Sequence, residues 1–155
     1  MENRAFVLKI NLGKQFKKYD YILLDCPPSR SLLTVNALTA ADYVLVGMLL
    51  DVMSIQGLNY LFKTVNDIQR VYNPKLKILG VLAVNVEVRK KLAREVWDFV
   101  VENFSVPFFK IKIRTSVKVA EAPSHAISVI KYAPQCTASK DYKDLAKEII
   151  KNGAR

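Results

Sequence analysis

The stretch Tyr21-Ile22-Leu23-Leu24-Asp25-Cys26-Pro27-Pro28 decides the fold. Four consecutive apolar residues leave no polar face, so the run reads as a strand buried on both sides, as in a parallel sheet covered by helices. The two prolines stop it, because each removes an amide donor and fixes the direction of the chain. Asp25 then stands at the carboxyl end of that strand, where α/β folds collect their ligands.

The same alternation extends in both directions. Before the run, Phe6, Val7, Ile10 and Phe16 recur at roughly helical spacing among lysines, which predicts a frayed helix over residues 4–18, weakened by Gly13. After it the pattern predicts a helix over 31–41 and a second strand over 43–46 closed by Gly47. From Ser54, an N-cap residue type, Leu58, Leu61, Phe62, Val65, Ile68 and Tyr72 trace one helical stripe that ends before Asn73-Pro74. A third strand is expected over 77–84, a helix over 89–104, a fourth strand over 108–113, a short fifth over 127–130 and a closing helix over 140–151. The expectation is an α/β fold in three layers with a mostly parallel sheet of four or five strands. Residues 1–155 form a single domain in this reading, with 1–18 a lead-in helix free to rearrange.

Composition narrows the function classes. The chain is 51% hydrophobic and 25% charged over 155 residues, enough to bury about two-thirds of its unfolded surface without disulfides or a structural metal. Two cysteines, Cys26 and Cys136, and the single histidine His125 make no zinc or haem spacing and suit a reducing, cytoplasmic setting. The sequence has no eighteen-residue apolar window and no signal-peptide layout, so a cytoplasmic protein is expected, and membrane attachment is disfavoured because the final helix, with Asp141, Asp144 and Glu148 among its lysines, lacks a strongly basic polar face. Lys and Arg outnumber Asp and Glu by 24 to 14, and the net charge of +10 favours a polyanionic partner. The excess is spread over both halves of the chain, so a basic surface has to be assembled by folding.

The residues that could do chemistry are few. Asp25 can hold a magnesium-bound water, although an aspartate at a strand end is more commonly a turn former. Arg89, Lys90, Lys91 and Arg94 form one basic cluster, and Lys110, Lys112, Arg114 and Lys118 form another, each uninterrupted by an acidic residue. Such clusters are solvated faces or phosphate-binding surfaces, and a phosphate contact would be salt-sensitive and blind to base sequence. His125, Ser29 and Ser31 lack the context of a hydrolytic triad.

Residues 19–29, continued by Leu32-Leu33-Thr34-Val35-Asn36-Ala37-Leu38-Thr39-Ala40-Ala41-Asp42, closely resemble the ParA/Soj branch of the ParA/MinD partition ATPases, which are deviant P-loop proteins. Residues 73–82 are similar to that family's passage from helix to strand, and Val117-Lys118-Val119-Ala120-Glu121-Ala122-Pro123-Ser124-His125 resembles its late signature. The resemblance runs over residues 19–151. It implies a P-loop NTPase-like fold, ATP and Mg2+ as ligands, nonspecific DNA and a centromere-binding protein as partners, and a role in chromosome or plasmid partitioning. It also implies that Asp25 is the catalytic and magnesium-organising carboxylate, that Asn85 and Arg114 lie at the nucleotide, and that Arg89, Lys110, Lys112, Arg114 and Lys118 face DNA. For Asn85 a structural turn is the first reading and a base contact the second.

The glycine-rich loop and lysine that cradle phosphates in this family do not occur in the 155 residues, and the similarity starts in the middle of the family pattern. ATP hydrolysis by this chain alone is therefore not expected. The strand ending at Asp25 should then present an uncovered edge, to be covered by self-association, by residues 1–18 or by a separate P-loop segment. The alternative reading is a non-enzymatic DNA- or partner-binding module derived from the same family.

Overall fold

A computed structural model describes residues 2–12, 16, 18–27, 29 and 31–151. The fold is α/β with a parallel sheet, as the alternation of elements requires. In chain order the elements are a 3-10 turn Glu2–Phe6, α1 (Val7–Asn11), α2 (Leu32–Ala40), β1 (Tyr43–Leu49), α3 (Val52–Val71) and β2 (Lys77–Val84), followed by α4 (Lys91–Asn103), α5 (Val117–Glu121), a 3-10 turn Ala122–His125, α6 (Val129–Tyr132) and α7 (Thr137–Lys151). The chain divides into two compact units, one made of residues 1–44 and 59–78, the other of 45–58 and 79–154.

In the first unit, Ser31 begins α2 by accepting a hydrogen bond from the Thr34 amide at 3.3 Å. Val65, Ile68 and Leu76 form a buried cluster against Val35, Leu38, Ala41, Leu61 and Tyr72. Buried Asn73 follows α3, and its side-chain amide donates to the carbonyls of Leu38 at 2.9 Å and Ala41 at 2.7 Å, satisfying the otherwise orphaned end of α2. Buried Asn36 does the same service for the lead-in: its amide nitrogen donates to the Arg4 carbonyl at 2.7 Å, and its oxygen accepts from the Leu8 amide at 3.1 Å.

In the second unit β2 is the most deeply buried segment, with Val81 and Ala83 fully enclosed. β1 pairs with it on one side. On the other, residues 107–115 run parallel through two bridges, Val81 to Phe108 and Val86 to Arg114. The residue offset changes between the bridges, so this segment bulges instead of forming the regular fourth strand expected over 108–113. Gly80 suits the place beneath the bulge, because a Cβ there would lie 3.0 Å from the Phe109 ring and 3.3 Å from the Pro107 carbonyl oxygen, closer than most Cβ contacts. Leu82, Phe109, Ile113 and Leu145 make the core, with Leu79, Ile111, Tyr142 and Ile149 against it.

Three other expectations are corrected. Residues 21–24 form neither helix nor strand, and Leu23 is 92% exposed. Their apolar character signals a buried strand, but a strand also needs a ladder partner, and none is present among the described residues. Residues 127–130 turn into α6 instead of a strand, since Ser128 adopts an extended N-cap conformation and the following amides bond back to it. The cap of α3 is Asp51, whose Oδ1 accepts from the Ser54 amide at 2.8 Å, three residues upstream of the predicted cap Ser54. Of the helix predicted over 4–18, the 3-10 turn and α1 are seen, while Gly13, Lys14, Gln15 and Lys17 lie outside the described residues.

Asn73→Ala removes two buried bonds and leaves two carbonyls unpaired, so the chain should lose about 1–3 kcal/mol, read as a lowered midpoint in urea unfolding with an unchanged slope.

Candidate functional site

The site is built in the second unit from the ends of β1 and β2 and from the bulged segment. Asn85 follows β2 with φ of 53°, a left-handed conformation that asparagine tolerates better than most residues. It lines a cleft with Leu49, Leu50, Asp51, Glu87, Lys90 and Ala93. Lys90 closes the rim through an ion pair with Glu87 at 2.6 Å. Arg89 and Arg94 are exposed, and neither meets a carboxylate at ion-pairing distance among the described residues.

The bulged segment is held from both sides. Toward β2, the amides of Phe109 and Ile113 donate to the carbonyls of Val81 at 3.0 Å and Ala83 at 2.9 Å. Away from it the bulge exposes further amides, and α7 supplies carboxylates for them. Glu148 accepts from the Lys110 amide at 2.9 Å and the Ile111 amide at 3.1 Å. Asp141 accepts from the Arg114 amide at 3.0 Å and from its Nε at 2.9 Å, while Nη2 completes the fork. The two acidic residues are seven apart, on the same side of α7 as Leu145, so the helix that packs the core also fixes the bulge.

The basic side chains on this frame differ in freedom. Lys110 is exposed and finds no carboxylate among the described residues. Lys112 lies with its ammonium 4.4 Å from the Trp97 ring centre; burial pushes its pKa down, and Asp98 opposes the shift. Arg114 is half exposed but committed to Asp141. Lys118, on α5, pairs with Glu121 at 2.8 Å; the hydrogen bond to that carboxylate raises the lysine above its ordinary value. Glu121 also accepts from the Tyr132 hydroxyl at 3.1 Å, and His125 stacks on that ring at 4.8 Å. Ala126 takes a left-handed φ of 53°.

Asp25 belongs to the first unit, where it is exposed just after the apolar run of residues 21–24. No group of three or more His, Cys, Asp or Glu able to cage a metal occurs among the described residues. A single exposed carboxylate fits one ligand of a largely hydrated Mg2+, an ion that normally draws its remaining ligands from water and phosphate. The phosphate side of such a site has no counterpart in this sequence. Among the described residues no helix is long and apolar enough to cross a membrane.

A family model described as an AAA domain matches residues 1–78. Sporulation initiation inhibitor protein Soj of Bacillus subtilis is 39% identical over 151 residues, covering 97% of this chain and 60% of that protein. The chain belongs to the ParA/Soj family. Chromosome partitioning protein ParA of Caulobacter vibrioides, 38% identical over 132 residues, aligns with 85% of this chain and 49% of its own length. Among solved structures, cobyrinic acid a,c-diamide synthase from Mycobacterium smegmatis with bound ATP analog and magnesium superposes with a TM-score of 0.84 at 25% identity, over 99% of this chain and 57% of that one. The fold is thus that of the ParA/MinD-like P-loop NTPases. The chain spans half to three-fifths of the length of these ParA and Soj relatives.

The clamping carboxylates Asp141 and Glu148 escaped the sequence reading. Their signal was available, since both fall at the border of the apolar stripe of the last helix, where a solvated charge has no reason to sit. Asp141 also sets a pH dependence. Burial raises its carboxyl, but the Arg114 guanidinium and amide outweigh burial and hold it below the ordinary carboxylate range. A depressed folded pKa contributes stability above the unfolded value, near 4, which is lost as pH falls through the folded one. Asp141→Asn should therefore lower the melting temperature at pH 7 by several degrees and flatten its decline below about pH 4, as followed by circular dichroism.

Proposed function

We propose that this chain is the DNA-facing part of a ParA/Soj chromosome- or plasmid-partitioning ATPase and does not hydrolyse ATP by itself. The observation that carries the reading is the doubly held bulge. Hydrogen bonds to β2 on one side and to Asp141 and Glu148 on the other fix the backbone that bears Lys110, Lys112 and Arg114. Cations on a rigid frame lose little freedom when they meet a phosphate backbone, and the contact needs no base reading. Arg89 and Lys118 extend the surface from the same unit.

ATP and Mg2+ enter through Asp25 only when a phosphate-binding loop is supplied, and Asn85 and Arg114 then stand as the nucleotide contacts. For Arg114 this requires sharing the guanidinium with Asp141. A centromere-binding protein and self-association are the further partners that family membership suggests, in the cytoplasm. The absence of a glycine-rich loop from the sequence favours one second reading, a DNA- or partner-binding module with no enzymatic step. The two part on nucleotide: the module's DNA affinity is indifferent to ATP even after the loop is restored.

Nonspecific duplex DNA should bind the intact chain with an affinity that falls steeply between 50 and 200 mM salt, about 3–10-fold weaker after Arg89→Ala or Lys110→Ala, each substitution reducing the log–log salt slope by about one. Glu121→Gln, which frees Lys118, should strengthen binding. Fluorescence anisotropy reads all three. DNA affinity that ignores salt and these substitutions would refute the proposal.

A further inference from the structure

Trp97 is the only tryptophan of the chain, and it lies half-buried on the flank of α4 that meets the bulged segment. Two side chains of that segment touch its ring. Phe108 packs edge-to-face with 5.5 Å between ring centres, and the Lys112 ammonium sits 4.4 Å from the indole centre. Phe108 and Lys112 are four residues apart and turn to this side, whereas their neighbours Phe109 and Ile113 turn into the core with Leu145. The amides of those two neighbours are bonded to β2, so the backbone that carries the ring's partners is fixed. Exposed Arg94, three residues before Trp97 on α4, continues the cationic surface beside the ring.

What the ring does for Lys112 differs from what carboxylates do for its neighbours. Arg114 and Lys118 are paired with Asp141 and Glu121, and each has to share or surrender that partner to meet a phosphate. Lys112 meets no carboxylate at ion-pairing distance among the described residues, and Asp98 acts on it only from farther away. An indole attracts a cation through its quadrupole but carries no net charge, so it fixes the ammonium without neutralising it. Exposed Lys110 keeps its charge too, yet its long side chain has to be immobilised on binding. Of the basic residues 110, 112, 114 and 118, Lys112 alone combines a held position with the lack of a salt-bridge partner.

We propose that Trp97 is a positioning residue for phosphate recognition: its ring presents the charged Lys112 ammonium to the backbone of duplex DNA. Trp97 acts through the lysine and makes no contact with DNA itself. Phe108 serves the same end one step removed, because its edge-to-face contact holds the indole plane under the ammonium. The inference rests on the DNA-facing reading above and adds to it the residue that orders one of the cations. Charge runs in the sequence cannot reveal it, since the lysine and the ring that holds it come from different elements.

A double-substitution cycle on the intact chain tests this, with nonspecific duplex DNA as the probe and fluorescence anisotropy as the readout. Lys112→Met should weaken binding about 3–10-fold and lower the log–log salt slope by about one. Trp97→Leu keeps an apolar side chain but removes the ring, and should weaken binding about two- to fivefold, whereas Trp97→Phe should stay within about twofold of the native chain. In the Lys112→Met chain, Trp97→Leu should cost nothing further. A second readout needs no change at position 97: the emission of the sole indole, measured without DNA, should differ between the native and Lys112→Met chains. Three results overturn the proposal: a Trp97→Leu chain that binds as tightly as the native one, a Trp97→Leu loss that persists in the Lys112→Met chain, or indole emission indifferent to Lys112→Met. Any of these with salt-dependent DNA binding intact leaves the DNA-facing reading standing, while a native chain that binds no DNA overturns that reading and this inference together.

Discussion

The second unit depends on the backbone of β2, because it is the strand through which the pairing there passes. One edge holds β1, and the other holds the bulged segment that carries the candidate cations. Fully buried Val81 and Ala83 leave this strand no option but to satisfy its amides and carbonyls within the protein. Gly80 suits this arrangement, since the bulge brings the Phe109 ring close to where a side chain would stand. A regular edge strand over residues 108–113 would turn only alternate amides outward, so the consecutive amides of Lys110 and Ile111 could not both reach Glu148. Packing, hydrogen bonding and the placement of positive charge are therefore consequences of a single geometry.

That geometry also sorts the basic residues by what they can do. Arg114 is the least available of these cations, because Asp141 occupies its fork. Lys118 shares its charge with Glu121, and Lys112 is drawn over Trp97. Arg89 and Lys110 remain exposed and unpaired among the described residues. Counting charges in the sequence treats these five side chains as equals, whereas the carboxylates and the indole around them make their availability to a phosphate very different.

Most of the fold was legible where periodicity and length agreed. The range 77–84 is recovered at both ends because the uncharged run Ile78–Val84, lying between Asn73-Pro74 and Asn85, suits a buried strand. The helices around Val65, Val96 and Leu145 followed from their stripes. The failures share one cause, which is that local pattern does not report partners. Tyr21 to Leu24 have the composition of a core strand, yet whether they are one depends on a neighbouring strand that sequence reading cannot see. Residues 127–130 are too short for period to decide, and the capping conformation of Ser128 settles them as helix. At the candidate site the cations and Asn85 could be read from charge runs and strand ends. The carboxylates that hold Arg114 and the bulge come from a helix near the end of the chain, and only the fold brings them there.

We propose that these 155 residues hold the frame and the charge of a ParA/Soj-family protein without a grip on triphosphate. Isothermal titration of the intact chain with ATP and Mg2+ tests it most directly. The account predicts no saturable heat up to millimolar nucleotide. A one-to-one isotherm in the micromolar range, abolished by Asp25→Ala, would contradict it.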